Sequence, residues 1–182
     1  HQLADEFHVP ITLDNDANFG ALGEARRGSG RGYKTMLYIT ISTGIGTGVT
    51  VNGKIDPALA KSEGGHMHFR HDGNLVDWES FASGKAFYEK YGKFGKDTPA
   101  DDPSWKQWSE EVSLGIGSLM AIIQPDVIVI GGSMGEHFDK YKNHLLDALH
   151  ATKSEMVQMP EIVAAEAPHK AVINGGIEAI ND

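Results

Sequence analysis

Apolar residues recur at two different periods along this chain, and the change of period separates expected strands from expected helices. The run Met36-Leu37-Tyr38-Ile39-Thr40-Ile41 is β-branched and aromatic, and Val49 to Gly53 follows it after a glycine-rich stretch. Together they predict a β-hairpin over 34–42 and 49–53. Between Ser104 and Gln124, Trp105, Trp108, Val112, Ile116, Leu119, Met120 and Ile123 fall at helical spacing. That predicts a long amphipathic helix. Asp126-Val127-Ile128-Val129-Ile130 is short and nearly all apolar before Gly131-Gly132-Ser133, the pattern of a central strand covered on both faces.

Weaker signals fill the remainder. Ala17 to Arg27 predicts a short helix with Asn15 or Asp16 near its cap and Gly28 closing it. Trp78–Tyr91, Phe138 to about Ala151 and Ala171–Ile180 predict further helices, Ile162–Ala165 a strand, and Val9–Leu13 a short extended run whose proline favours an edge or a strand start. Residues 64–76 are rich in His and Gly with little periodicity and predict a loop or irregular strand region, while 92–103 predict an exposed connection. Antiparallel strands first and strand-helix alternation later indicate a three-layer α/β domain, with a mixed sheet and helices on both faces.

Composition narrows the classes of function. The 182 residues, 40% of them apolar, are enough for one domain with a real core. With 16 Lys and Arg against 25 Asp and Glu, the formal charge of −9 speaks against a broad nucleic-acid-binding surface. The absence of cysteine excludes disulfides and thiolate metal sites and fits a cytoplasmic location. No apolar run reaches membrane-spanning length. The chain opens on His1 rather than an initiator methionine, and a fragment or processed piece of a longer protein is expected.

Ile41-Ser42-Thr43-Gly44-Ile45-Gly46-Thr47-Gly48-Val49 carries the strongest chemical suggestion. Glycines at every second position let something approach the backbone, most often a phosphate, and successive N–H groups can form an anion-binding nest. The segment fits neither the P-loop nor the Rossmann pattern. An ordinary glycine-rich hairpin is the alternative. Asp14-Asn15-Asp16-Ala17-Asn18 sits where an extended segment meets a helix, so its side chains either cap the helix or present a base to a substrate hydroxyl. In Glu63-Gly64-Gly65-His66 a carboxylate and an imidazole flank two residues without bulk, suited to gripping a polyhydroxylated ligand. Zinc on His66, His68 and His71 is the competing reading. Glu79, at an expected helix start, would add a third carboxylate to a polyol pocket.

These residues carry a resemblance. Asn15-Asp16-Ala17-Asn18 with Gly23-Glu24, Ser42 to Gly48 with Asn52-Gly53, Glu63-Gly64-Gly65-His66, Glu79 before Ala82-Ser83-Gly84, and Ile130-Gly131-Gly132 together resemble the ROK family of bacterial sugar kinases and sugar-responsive repressors. The resemblance implies a ribonuclease-H-like, actin-like ATPase fold, with residues 1–182 as the larger C-terminal lobe and the N-terminal lobe absent. It implies transfer of the γ-phosphoryl group of ATP, bound with Mg²⁺, to a hexose or amino-hexose, or a sugar-sensing repressor domain as the alternative. Asp16 resembles the catalytic base and Asn15 a sugar-holding residue, and Glu63, His66 and Glu79 are similar to the other substrate-binding residues. Thr43 and Gly44 resemble the phosphate-binding turn, and Gly131, Gly132 and Ser133 the glycine turn against adenosine. A homodimer without membrane contact is implied, binding nucleic acid only if a helix-turn-helix precedes these residues.

Two departures from the family pattern bear on these expectations. The family's cysteine-rich zinc loop has no cysteine here between Met67 and Trp78, so no structural zinc is expected and His66 is left to the sugar. The family's Asp-x-Gly-Gly-Thr phosphate loop, part of its opening lobe, does not occur in these residues.

Overall fold

A computed structural model describes residues 6–9 and 11–181. Helix α1 (Asp16–Arg27) leads into strands β1 (Thr35–Ile41), β2 (Ile45–Val51) and β3 (Lys54–Ile55). A short 3₁₀ turn (Gly64–His66) precedes β4 (His68–His71) and β5 (Asn74–Asp77). Helices α2 (Glu79–Ala82), α3 (Gly84–Tyr91) and α4 (Ser104–Ile123) follow, then β6 (Val127–Gly131), α5 (Gly132–Gly135), α6 (Phe138–Thr152), β7 (Glu161–Ala164) and α7 (Ala171–Ile180).

Among the described residues five strands form one mixed sheet in the order β3-β2-β1-β6-β7. β1 pairs antiparallel with β2, Thr35 opposite Val51 and Ile41 opposite Ile45, and parallel with β6, Met36 opposite Val127. Strand alternation sends successive side chains to opposite faces. Met36 and Tyr38 therefore join Val127 and Val129 under Ala21 and Ala25 of α1 and Ala171 of α7. Leu37, Ile39 and Ile41 join Ile128 and Ile130 against Trp105, Trp108 and Ile116 of α4 and Tyr141 and Leu145 of α6. Burial on both faces is why β6 reads as an unbroken apolar run.

Four local expectations change. β2 begins at Ile45, so Gly46 and Gly48 belong to the strand and only Ser42–Gly44 turn the chain. A Cβ on Gly48 would stand 2.6 Å from the Ala17 carbonyl oxygen, and one on Gly46 3.1 Å from Ala17 Cβ. What approaches these glycines is helix α1. The expected helix over 78–91 is broken at Ser83, whose extended backbone and hydroxyl cap α3 by accepting from the Ala86 amide at 3.2 Å. Residues 68–77 form a separate two-stranded ribbon, closed by Asp72 and Gly73 at φ 48° and 81°, the pairing that a type I′ hairpin turn requires. Pro10 lies outside the described residues, and residues 11–15 form no strand, with Ile11 and Leu13 exposed.

Candidate functional site

Strand β2 is touched by two of the segments that carry candidate residues, the start of α1 and the 64–66 turn. Asn15 caps α1, its side-chain oxygen accepting from the Asn18 amide at 2.7 Å, and Asp16 follows as the first helical residue with its carboxylate exposed. The buried Asn18 side chain donates to Asp14 Oδ1 at 2.7 Å and to the Ala60 carbonyl at 2.8 Å. The helix start is thereby tied to the 57–61 turn and, through Ala17, to Gly46 and Gly48.

On the neighbouring positions Ile45 and Thr47 of β2, the Gly64-Gly65 pair lies directly on the strand. The Gly64 amide donates to Thr47 Oγ1 at 3.1 Å, and a Cβ on Gly65 would stand 2.1 Å from the Ile45 carbonyl oxygen. Only residues without side chains allow this approach, and it brings Glu63 and His66, which flank them, to the beginning of β2. Glu79, at the start of α2, reaches the same place: its Oε2 accepts from the Ile45 amide at 3.1 Å and sits 2.6 Å from where a Gly44 Cβ would be. His66 Nδ1 is 3.9 Å from Glu79 Oε1 and 3.4 Å from Asp77 Oδ2. His66 and Glu79 thus meet beside the first residue of β2, with Glu63 exposed next to the Gly64-Gly65 pair, whereas α1, which opens with Asp16 after the Asn15 cap, packs through Ala17 on Gly46 and Gly48 from the opposite face of the strand.

A cleft of about 400 Å³ opens on the other side of the β1–β2 turn. Ser42 and Thr43 form one edge and Ser133 and Met134 the other, with Ser133 Oγ 3.3 Å from Ser42 Oγ. Gly131 and Gly132 precede Ser133 but are not among the residues that line the cleft. Gly132 has φ 74° and a Cβ there would stand 2.4 Å from the Ile41 carbonyl oxygen, while one on Gly131 would stand 2.2 Å from the Tyr38 hydroxyl. Gly44 faces Glu79 rather than this cleft. Burial, then the Glu24 carboxylate and more weakly Asp16, pushes the Tyr38 hydroxyl up to about 12, so it stays protonated.

Sequence reasoning missed the opposite wall. Tyr88 and Phe94 line it with rings stacked at 4.4 Å and 18°, and Lys85 and Lys96 stand at its rim. His137 completes it, held below the ordinary imidazole range by burial and then by Lys140, and is therefore neutral at neutral pH. The aromatics belong to different elements. Their one sequence signal was the placement of large apolar residues at a helix end and in a polar connection, and both are exposed here.

The three clustered histidines separate. His66 and His68 face the two oxygens of Asp77, whereas His71 stacks on Phe81 at 4.3 Å and meets Glu111 Oε1 at 3.2 Å. Among the described residues no group of three or more His, Cys, Asp or Glu is placed to hold a metal ion. None of the helices among these residues is long and apolar enough to cross a membrane.

The mixed sheet with helices on both faces is a ribonuclease-H-like domain of the kind found in actin-like ATPases. Within that class the chain belongs to the ROK family, whose model matches residues 1–180. It is 30% identical over 145 residues to a fructokinase of Pediococcus pentosaceus, covering 72% of this chain and 49% of that protein. It is 36% identical over 92 residues to the xylose repressor of Bacillus spizizenii, covering 46% and 24%. The crystal structure of a ROK family glucokinase from Streptomyces griseus in complex with glucose and AMPPNP has a TM-score of 0.82 at 20% identity, covering 98% of this chain and 70% of that one. The chain spans about half the length of the fructokinases it matches.

Proposed function

We propose that the protein carrying this chain is an ATP-dependent hexose kinase, and that these residues form its larger, C-terminal lobe. The observation that carries the reading is the turn Ser42–Gly44, which has the Glu79 carboxylate and the His66 imidazole on one side and an aromatic-walled cleft on the other. The cleft volume and the stacked Tyr88 and Phe94 fit a nucleoside, and Lys85 and Lys96 fit its phosphates. Names of relatives support the same pairing: fructokinase in sequence, and a glucokinase holding glucose and AMPPNP in structure.

In this reading Asn15, Glu63, His66 and Glu79 bind the sugar hydroxyls, and Asp16 takes the proton of the attacking hydroxyl as it reaches the γ-phosphorus. An exposed carboxylate whose neighbour does the capping is free for that task. Thr43, with the main chain of Gly44 beside it, borders the phosphates, Ser133, with Gly131 and Gly132 before it, borders the adenosine, and Mg²⁺ enters with ATP. The present residues offer one wall to the phosphates, so the chain alone should be essentially inactive.

Phosphorylation of a hexose panel by the complete protein tests the reading. Asp16→Asn should lower turnover by roughly 10²-fold or more with smaller changes in sugar affinity. Full activity in D16N would remove Asp16 from its role. The likeness to a xylose repressor supports a second reading, a sugar-sensing repressor domain. Sugar-dependent DNA binding without turnover on any hexose would select it.

A further inference from the structure

We propose that Asp77 fixes the tautomer of His66, so that His66 meets its ligand as a hydrogen-bond acceptor through Nε2. The β4–β5 ribbon sets Asp77 directly opposite His68, and its carboxylate lies between two imidazoles. Oδ2 is 3.4 Å from His66 Nδ1 and Oδ1 is 3.3 Å from His68 Nε2. Glu79 Oε1 adds a second carboxylate oxygen 3.9 Å from the same His66 nitrogen. Both acidic groups therefore lie on the Nδ1 side of the ring. A neutral imidazole carries one N–H and one lone pair, and the hydrogen bond made by one nitrogen decides the state of the other. With the proton on Nδ1, the N–H points at a carboxylate. With the proton on Nε2, the Nδ1 lone pair would face two carboxylates.

The free side chain in water prefers the Nε2–H form, so Asp77 reverses the intrinsic preference. The half-exposed ring then offers its Nε2 lone pair as an acceptor. A polyol hydroxyl meets such a nitrogen by donating, and a ligand group that can only accept is rejected there. That last step rests on the sugar-site reading above. The tautomer itself does not.

Long-range ¹H–¹⁵N spectra of the ¹⁵N-labelled complete protein at about pH 8, above the ordinary imidazole range, read the tautomer directly. The expected result is a protonated Nδ1 and an unprotonated Nε2 on His66 in the wild type, with the balance moving toward Nε2–H in Asp77→Ala. A wild-type His66 protonated at Nε2, or an unchanged tautomer in folded D77A, would overturn the proposal. The wild-type spectrum decides it even where D77A fails to fold. In the complete protein, D77A should raise KM for the hexose by about tenfold, the weight of one hydrogen bond, and leave KM for ATP unchanged. Absence of turnover in the wild type would sink the kinase reading and leave the tautomer result standing.

Discussion

Replacing Gly65 and Gly176 by alanine makes one chemical change in two surroundings, and the structure gives it opposite signs. At Gly65 the new Cβ would stand 2.1 Å from the Ile45 carbonyl oxygen, 3.0 Å from its carbon and 3.3 Å from Glu79 Oε2. The first contact is about 1.3 Å inside ordinary non-bonded approach, and because it is made with main chain no rotamer change relieves it. The 64–66 turn must therefore lift off β2 by about 1 Å, which stretches the 3.1 Å bond from the Gly64 amide to Thr47 Oγ1 beyond hydrogen-bonding range. Overpacking strain of about 1–3 kcal/mol and one lost hydrogen bond of about 1 kcal/mol give a destabilisation of about 2–4 kcal/mol. Gly176 lies within α7 with nothing inside 4 Å of its added Cβ. There alanine removes only the conformational freedom of the unfolded chain, and a gain of about 0.5–1 kcal/mol follows. Urea unfolding of each variant reads both as shifts of midpoint at unchanged slope. If G65A unfolds within about 0.5 kcal/mol of the wild type, the close seating of this turn on β2 is wrong, and with it the placement of Glu63 and His66.

Two further predictions concern carboxylates outside the clefts. Glu24 is 2% exposed and accepts from the amides of Ser29, Glu166 and Ala167, joining α1 to the segment before α7. Glu24→Ala should destabilise by about 2–4 kcal/mol in the same assay, and a loss below about 1 kcal/mol would mean that those amides find water instead. Asp102 is held down to about 2, chiefly by its ion pair with Lys93 and then by the Ser104 hydroxyl and amide. A depressed carboxyl contributes stability that is full above its unfolded pKa, near 4, and is lost as the pH falls through about 2. The difference in melting temperature between wild type and Asp102→Asn should therefore be constant above about pH 5 and close toward pH 2. A gap independent of pH would refute the assignment.

Periodicity made the frame legible. The apolar positions of α4 and the unbroken run of β6 each had a single structural solution, and the mixed sheet followed from the order of elements. The 42–48 glycines were legible as a demand for close approach. The identity of the approaching group was not, because Ala17 is some thirty residues away in the chain, and no local pattern announces a helix packing on a strand. Asp72-Gly73 is a hairpin signal that stood in the sequence, yet its flanking residues Arg70, His71 and Asn74 are polar and give the alternation nothing to register against. The break at Ser83 depends on one extended residue, below the reach of a periodic pattern. Cap position singled out Asn15 and Asp16 as candidates, and the glycines between them did the same for Glu63 and His66. Asp77 was not, since its significance lies in a cross-strand pairing with His68, and neither were Tyr88 and Phe94, which meet from separate elements.

The β1–β2 turn is held from every side. Ser42 receives the Gly84 amide on its carbonyl at 2.7 Å, its own amide donates to the Gly44 carbonyl at 2.9 Å, and its hydroxyl meets Ser133. Glu79 accepts the Ile45 amide on the far side, in the space that Gly44 leaves by lacking a side chain. A turn fixed this way needs no ordering when a ligand arrives, which matters for a transfer reaction whose partners must meet at about 3–3.5 Å. One carboxylate, moreover, holds the turn and faces His66. Under the kinase reading, a sugar that draws on Glu79 acts on the same group that positions the backbone beside the phosphates. Sugar occupancy and the geometry of the nucleotide edge are then coupled through a single side chain, over a path of one hydrogen bond.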